Sequence, residues 1–141
     1  MTDLPPDSFD RPIAFSGGKM PSYVAAVRGM SQSEGWGTWS EGPRVEVDFA
    51  RPLPADFDLA IRVGPVFAAN KGQPVRVTAG GKEQSFPANE AYEGVLEFRG
   101  TRDARTIVFA IPQPQSPLEL GTGLDKRKLG IGLLSLRIVP R

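Results

Sequence analysis

The chain has 141 residues, of which 40% are hydrophobic, and its net charge is +1 from 17 basic and 16 acidic side chains. The hydrophobic share excludes wholesale disorder, and the near balance of charges argues against nucleic acid as a partner. The chain contains neither Cys nor His. This excludes cysteine proteases, zinc sites of the usual kind and Ser-His-Asp hydrolases.

Apolar residues alternate with polar or small ones along much of the chain, a period that is typical of half-buried strands. The alternating segments are 13–15, 23–27, 45–49, 57–63, 75–77, 96–98 and 107–111. In the last apolar segment, Ile131 and Leu133 share one phase, whereas Leu134, Leu136 and Ile138 share the other. That slip predicts a β-bulge within the final strand.

Turn signals such as Gly17-Gly18 and Gly80-Gly81 separate these segments. The best helical signal is a single turn over 116–121, with Ser116 as N-cap, Pro117 at the first position and Gly121 as the stop. Roughly eight to ten short strands with frequent turns predict an all-β fold. We expect a two-sheet antiparallel β-sandwich that is jelly-roll-like, with a closed barrel as the alternative. One domain is expected over 1–141, with its core at about 9–139.

Nothing in the sequence predicts direct membrane insertion, because no apolar run approaches the roughly 20 residues of a membrane span. The N-terminal segment 1–6 lacks the basic start and apolar stretch of a signal peptide. We therefore expect a cytoplasmic location for the chain as it stands, and a periplasmic one if it is excised from a membrane-anchored protein.

Two segments, 31–42 and 112–130, break the alternation. The second is longer than the roughly 12–15 residues that are usual for loops without structure of their own. Such loops are often functional or well packed. These two segments are therefore the first places to look for a site.

Both tryptophans, Trp36 and Trp39, lie in the first segment, next to Glu34. Aromatic rings offer flat apolar faces that stack on the C–H groups of sugars, and a neighbouring carboxylate hydrogen-bonds hydroxyls. Trp is also highly buried on average. The alternative is therefore that the two rings close one end of the sandwich.

Polar residues outside the tryptophan segment also have two interpretations each. In the long segment, Asp125 and Arg127 lie two residues apart and predict a structural tie of the loop, together with Glu119. Arg127 is alternatively a fork for an anionic ligand group. Asn70 precedes a glycine-containing turn and is typical of a turn former, although its amide is also suited to a ligand hydroxyl.

Two blocks of the sequence resemble a known domain. The first comprises 29–31 followed by 34–40, which reads Glu-Gly-Trp-Gly-Thr-Trp-Ser, and the second runs over 111–133. Together with 53–59, Phe67 and Asn70 they resemble an uncharacterised domain at the C-terminal end of bacterial phosphoglycerol-transferase-I-like proteins and of multi-span membrane sugar transferases. The resemblance covers roughly 22–138 and implies a β-sandwich accessory domain linked to envelope polysaccharide or glucan synthesis, with the chemistry residing in other domains.

These observations lead to the hypothesis of a non-catalytic carbohydrate-recognition module, without catalytic residues, metal or cofactor. The predicted ligand-binding residues are Trp36, Trp39, Glu34, Asn70 and Arg127. A glycan ligand and a membrane sugar transferase are the partners that the features suggest. The second hypothesis is a structural or protein-interaction domain in which the Trp rings are buried and Glu34 pairs with Arg127. The third is a glycan hydrolase or lyase that uses Glu34 and Asp125 as its two carboxylates.

Overall fold

The computed structural model describes Phe9 and residues 11–141. The segment 1–6, interpreted above as lacking a signal peptide, lies outside the described residues. Within the described part of the chain there are ten strands, a short 3-10 helix at Ala68–Asn70 and one turn of α-helix, α1 (Pro117–Leu120). The strands are β1 (Ile13–Ala14), β2 (Val24–Arg28), β3 (Thr38–Glu41), β4 (Arg44–Phe49), β5 (Phe57–Val66), β6 (Pro74–Ala79), β7 (Lys82–Pro87), β8 (Glu93–Phe98), β9 (Thr106–Ala110) and β10 (Leu129–Pro140).

The strands form two antiparallel sheets. In the first sheet β10 pairs with β5, and β5 pairs with β8. The other edge of β10 is shared, because β3 pairs with its N-terminal part and β1 with its C-terminal part. The second sheet has the order β2-β4-β9-β6-β7. The predicted all-β two-sheet sandwich is confirmed, the closed barrel is not formed, and the jelly-roll connectivity stays a prediction.

The core lies between the sheets and follows from the alternation in the sequence. Val45 and Val47 of β4 are fully buried, whereas Glu46 between them is half-buried on the outer face. Across the first sheet, the rings of Phe57 and Phe98 stack with their centroids 5.1 Å apart. Burial of such side chains supplies about 1.5–3 kcal/mol each, which makes this layer the main source of stability.

The bulge predicted in the final strand is confirmed. Leu133 of β10 is opposite Val63 of β5, but the next pair is Ser135 with Arg62, so β10 contains one extra residue, Leu134. Because of this extra residue, the apolar residues in the C-terminal half of β10 face the core although their positions are out of phase with those of the N-terminal half. Bulges of this kind re-aim side chains and are frequent beside functional sites.

The alternation predicted over 23–27 is only partly kept in β2. Tyr23 is buried, but Ala25 is exposed and Val27 is only half-buried. The cause is the position of β2 at the edge of the second sheet, where its register with β4 shifts between Val24 and Ala26. An edge strand has a partner on one side alone, so its pattern is less constrained.

The sequence does not predict β3 and β7. The strand β7 is the other edge of the second sheet, and its first four residues, Lys-Glu-Gln-Ser, are exposed. The strand β3 lies in the tryptophan segment, and its Thr and Ser are buried instead of its Trp. Both strands escape prediction because their polar residues break the alternation of apolar and polar positions.

The predicted helical turn is confirmed. The Ser116 hydroxyl accepts a hydrogen bond from the Glu119 backbone N–H at 3.1 Å, and the Ser116 backbone N–H donates to the Glu119 carboxylate at 2.6 Å. This reciprocal capping box starts α1, and Gly121 ends it with a left-handed backbone at φ 73°. Among the described residues, no helix has the length and apolar character that crossing a membrane requires.

Candidate functional site

The segment 31–42 is a hairpin whose tip carries Trp36. The backbone N–H of Glu34 donates to the Gly37 carbonyl at 2.7 Å, and the Gly37 N–H donates back to Glu34 at 3.2 Å. Further down, the Ser31 N–H donates to the Trp39 carbonyl at 2.9 Å. The tight turn over residues 35 and 36 therefore holds Trp36 over the outer face of the first sheet, outside the core.

The indole of Trp36 lies on a support made of glycine. A Cβ atom on Gly132 would lie 2.6 Å from Cζ3 and 2.7 Å from Cη2 of Trp36, and one on Gly64 would lie 3.6 Å from Cε3. Only the absence of a side chain at Gly132 lets the ring approach the backbone of β10 so closely. The ring is thereby fixed in position, while 36% of the residue stays exposed.

A second irregularity in the first sheet lies beside this support. Ile131 is opposite Val66 and Leu133 is opposite Val63, so β5 contains one more residue than β10 between these pairs. The extra length falls at Gly64 and Pro65, the residues next to the indole. The first sheet therefore carries two opposed bulges, one in each of its central strands, at the position of Trp36.

A groove of about 630 Å³ opens beside Trp36. Its floor comes from the outward side chains of β5 and β10, among them Ala60, Leu134 and Ser135. Its wall comes from the segment around β1, with Pro12, Ala14 and Ser16. Small-molecule sites typically occupy roughly 300–1,000 Å³, so the groove has the size of a ligand site.

The wall of the groove is fixed where β1 and β3 meet along the edge of β10. The Phe15 N–H donates to the Leu134 carbonyl at 3.0 Å. The buried Thr38 hydroxyl donates to the Phe15 carbonyl at 2.6 Å. The two bonds connect the wall segment to both β10 and the tryptophan hairpin, so the site is built on paired backbone.

Two arginines line the groove. Arg62 of β5 forms an exposed ion pair with Glu93, with Nε 3.1 Å from Oε1. Arg137 of β10 is exposed, and no hydrogen bond or ion pair joins it to another side chain among the described residues. The groove therefore combines an aromatic face, a hydroxyl from Ser135 and guanidinium groups.

Trp39 is half-buried and supports Trp36 from the side. The two rings are edge-to-face with centroids 5.5 Å apart, and Trp39 makes a similar contact with Phe67 at 6.2 Å. Edge-to-face pairs are stabilised by about 0.5–1.5 kcal/mol beyond their burial. Of the two tryptophans, Trp36 is the one that lines the groove, and Trp39 is a packing residue behind it.

Asn70 does not face the groove, which corrects its prediction as a ligand-binding residue. It is fully buried, and its amide nitrogen donates to the carbonyls of Phe67 and Gln113, each at 2.7 Å. Its amide oxygen accepts from the Gln113 N–H at 2.8 Å. The side chain thus holds the long segment 112–130 against the end of β5, and its amide is engaged within the protein.

The pair Asp125 and Arg127 ties the long segment. The Arg127 guanidinium donates to both carboxylate oxygens of Asp125, the shortest contact being 2.7 Å, and Nη1 donates to the Ser31 hydroxyl at 2.7 Å. The hydrogen bonds from Arg127 lower the pKa of Asp125, and those to Asp125 raise the pKa of Arg127. Arg127 therefore joins segments 31–42 and 112–130, and its guanidinium donors are already engaged within the protein.

The remaining predicted contacts are placed as follows. Glu119 pairs with Lys128 at 2.8 Å. The hydrogen bonds from Lys128 and from Ser116 to the Glu119 carboxylate lower the pKa of Glu119. Glu34 is exposed and forms no ion pair with Arg127 among the described residues, so the predicted Glu34–Arg127 tie is wrong. Glu34 acts on Arg127 only through its charge, which helps to raise the Arg127 pKa after Asp125.

The pairing of Glu34 and Asp125 as hydrolase carboxylates stays a prediction, and Asp125 is unsuited to the acid role in it. A general acid must hold a proton near neutral pH. Asp125 has its pKa lowered by Arg127 and stays ionised. Within Phe9 and 11–141, no group of three or more Asp and Glu side chains is arranged to hold a metal ion.

The sequence gives a partial signal for the groove residues that it did not identify. In the alternating segment 57–63, the outward positions are Asp58, Ala60 and Arg62. The period of two residues therefore predicts that Arg62 lies on the outer face of its sheet. The pairing of β5 with the far end of the chain does not follow from it. Arg137 is therefore recognisable as a groove residue only once the sheet is known.

The chain matches the model of a protein family described as "Domain of unknown function (DUF7024)" over residues 7–140. The chain belongs to this family. It is also 36% identical over 126 residues to phosphoglycerol transferase I of Escherichia coli (strain SE11) and to that of Shigella boydii serotype 18. The resemblance to phosphoglycerol-transferase-I-like proteins that the sequence blocks indicate is confirmed.

The DUF7024 chain corresponds to a small part of these relatives. The matched region covers 86% of this chain but spans only 16% of each transferase. The search of solved structures found no match to this chain.

Proposed function

We propose that this DUF7024 domain is a non-catalytic carbohydrate-recognition module that accompanies enzymes of envelope glycan synthesis. The groove beside Trp36 is the binding site. Sugar rings stack on the indole, and the Ser135 hydroxyl and the two arginines hydrogen-bond the hydroxyls at the edge of the sugar. Glu34, which is exposed next to Trp36 in the hairpin, extends the polar rim.

The observation that carries the proposal is an exposed indole held rigidly at the edge of a groove. Exposure of a large aromatic ring costs hydrophobic free energy, about 25 cal/mol per Å² of apolar area left in water. Here the ring is fixed by Gly132 below and by Trp39 at its side. A pre-organised aromatic face loses little conformational entropy when a ligand binds, which favours recognition by stacking.

The accessory role is supported by the comparison with phosphoglycerol transferase I. Because the region shared with this chain is 16% of that protein, most of its length is available for the transfer chemistry. We propose that the DUF7024 domain contributes glycan binding beside such chemistry, with a membrane sugar transferase as its partner.

The test is tryptophan fluorescence of the domain titrated with oligosaccharides from bacterial envelopes and with linear glucans. We expect a saturable change that Trp36→Ala removes. Leu118→Ala is the matched control, because Leu118 is exposed on α1 outside the groove. Unchanged isothermal titration heats for Trp36→Ala, or no response of the folded domain to any glycan, would refute the proposal.

A protein-interaction role is the second candidate. Three leucines of the long segment, Leu118, Leu120 and Leu124, are exposed, Leu124 by 86%. Exposed apolar side chains that lie in one short segment are suited to an association surface if they form one patch. Loss of partner binding on Leu124→Ser with unchanged glycan binding would support this role, whereas unchanged partner binding would oppose it.

A further inference from the structure

The groove beside Trp36 has a one-sided charge. Its lining includes the guanidinium groups of Arg62 and Arg137 and no carboxylate. The chain as a whole is nearly neutral, with 17 basic and 16 acidic residues. Glu93, which pairs with Arg62, and Glu34 in the hairpin lie outside this lining, so the lining residues themselves carry two positive charges and no negative one.

Arg137 is not neutralised by its neighbours in the first sheet. Directly opposite it on β5 is Ala60, which has no charge. The carboxylate two residues earlier on the same face, Asp58, is engaged by Arg141 at 2.6 Å and by Arg99 at 3.1 Å. Among the described residues no carboxylate occupies the donors of Arg137, and the residue opposite it is the small Ala60.

The ion pair that holds Arg62 is weak enough for Arg62 to exchange its partner. It is opposite Ser135, and its pair with Glu93 is exposed on both sides, by 58% and 67% of the side chains. Exposed pairs of this kind contribute only about 0–1 kcal/mol. Arg62 is therefore able to leave Glu93 for an anion in the groove at little cost.

We propose that the groove selects sugars that carry an oxyanion substituent, with the Arg137 guanidinium as the primary anion-binding group and Arg62 as the secondary one. The inference rests on the proposed function, since Trp36 holds the sugar ring while the arginines bind its substituent. A guanidinium fork fits the oxygens of phosphate and carboxylate groups in a bidentate manner.

The experiment compares cellopentaose with the same oligosaccharide carrying a phosphate ester, by isothermal titration calorimetry of the folded domain. We expect the phosphorylated sugar to bind more tightly by roughly tenfold, because one charge-assisted contact is added. Arg137→Gln should abolish this preference, so that the phosphorylated and the neutral oligosaccharide bind to the variant with equal affinity. Raising the salt concentration should reduce the preference in the wild type.

The matched control is Arg76→Gln, because Arg76 is an exposed arginine of β6 in the other sheet. Titration with inorganic phosphate tests whether the anion alone is the ligand. If Arg137→Gln retains the preference, or if Arg76→Gln loses it equally, the charge selectivity is overturned while glycan binding stands. If inorganic phosphate binds but neither sugar does, both the selectivity for sugars and the proposed function fail.

Discussion

Gly132 lies directly beneath the six-membered ring of Trp36, so close that a methyl group at residue 132 would come within 2.6 Å of Cζ3. The same methyl group would lie 2.9 Å from Cδ of Pro65. Both distances are shorter than any van der Waals contact between carbons, which is about 3.5–4.0 Å. Residue 132 therefore sets the height of the indole above the sheet, and through it the shape of the groove.

The first prediction concerns Gly132→Ala. We expect the added methyl group to displace the indole, to lower the free energy of unfolding by about 1–3 kcal/mol and to shift the tryptophan emission. Glycan binding should weaken even though no groove side chain is removed. The measurements are urea unfolding and the emission spectrum of the folded state.

Gly123→Ala is the control for this substitution. A Cβ atom there would be 3.5 Å from Pro117, an ordinary contact, and residue 123 has no positive φ. Its emission spectrum and glycan binding should stay those of the wild type. Equal behaviour of the two variants would contradict the role of Gly132 as the support of the ring.

The second prediction concerns Asn70→Ala. The variant leaves the backbone N–H and carbonyl of Gln113 without the Asn70 amide, whereas the Phe67 carbonyl keeps its bond from the backbone N–H of residue 70 at 3.1 Å. We expect a loss of about 1–3 kcal/mol in the free energy of unfolding for each group left unsatisfied, and faster proteolysis within 112–130. Asn89→Ala, at an exposed position, should change neither quantity. Wild-type unfolding and proteolysis of Asn70→Ala would show that the long segment is held without it.

Much of the fold follows from the sequence because burial of one face imposes a period on it. The strands with a partner on both sides, such as β4 and β9, have clear alternation, and the slip at Leu134 predicts the bulge. The edge strand β7 has no such constraint and carries polar residues, so its pattern contains no signal. Local order is thus readable where packing enforces it.

The site is only partly predictable, and for a different reason. Trp36 is recognisable from its residue type and its position in a glycine-rich hairpin. Arg62 and Arg137 are 75 positions apart by their numbers in the sequence and meet because β5 pairs with β10, which no local pattern encodes. Asn70 and Arg127 have the residue types of a ligand site, but their hydrogen bonds hold loops instead.

The third prediction concerns Thr38→Val, which preserves shape and removes one hydroxyl. The Phe15 carbonyl then loses a buried donor at 2.6 Å. We expect a decrease of about 1–3 kcal/mol in the free energy of unfolding and weaker glycan binding, since the groove wall is less firmly fixed. Thr78→Val on β6 is the control, because Thr78 is half-buried in the other sheet, away from the groove. Undiminished hydrogen-exchange protection of the Phe15 amide in Thr38→Val would count against this role.

The fourth prediction concerns pH and Tyr23. Burial raises the pKa of the Tyr23 phenol to about 12, only partly opposed by the charge of Arg11, and its hydroxyl donates to the Arg11 carbonyl. In the unfolded chain a tyrosine ionises near its ordinary pKa, about 10. The folded state therefore holds a proton that the unfolded state releases, so this stabilisation is complete below pH of about 10 and is lost as pH rises towards about 12.

Urea unfolding across this range should give a stability difference between wild type and Tyr23→Phe that shrinks with rising pH, because Phe cannot ionise. Tyr92→Phe serves as the control for general alkaline effects, and a difference that stays constant with pH would mean that Tyr23 ionises equally in both states.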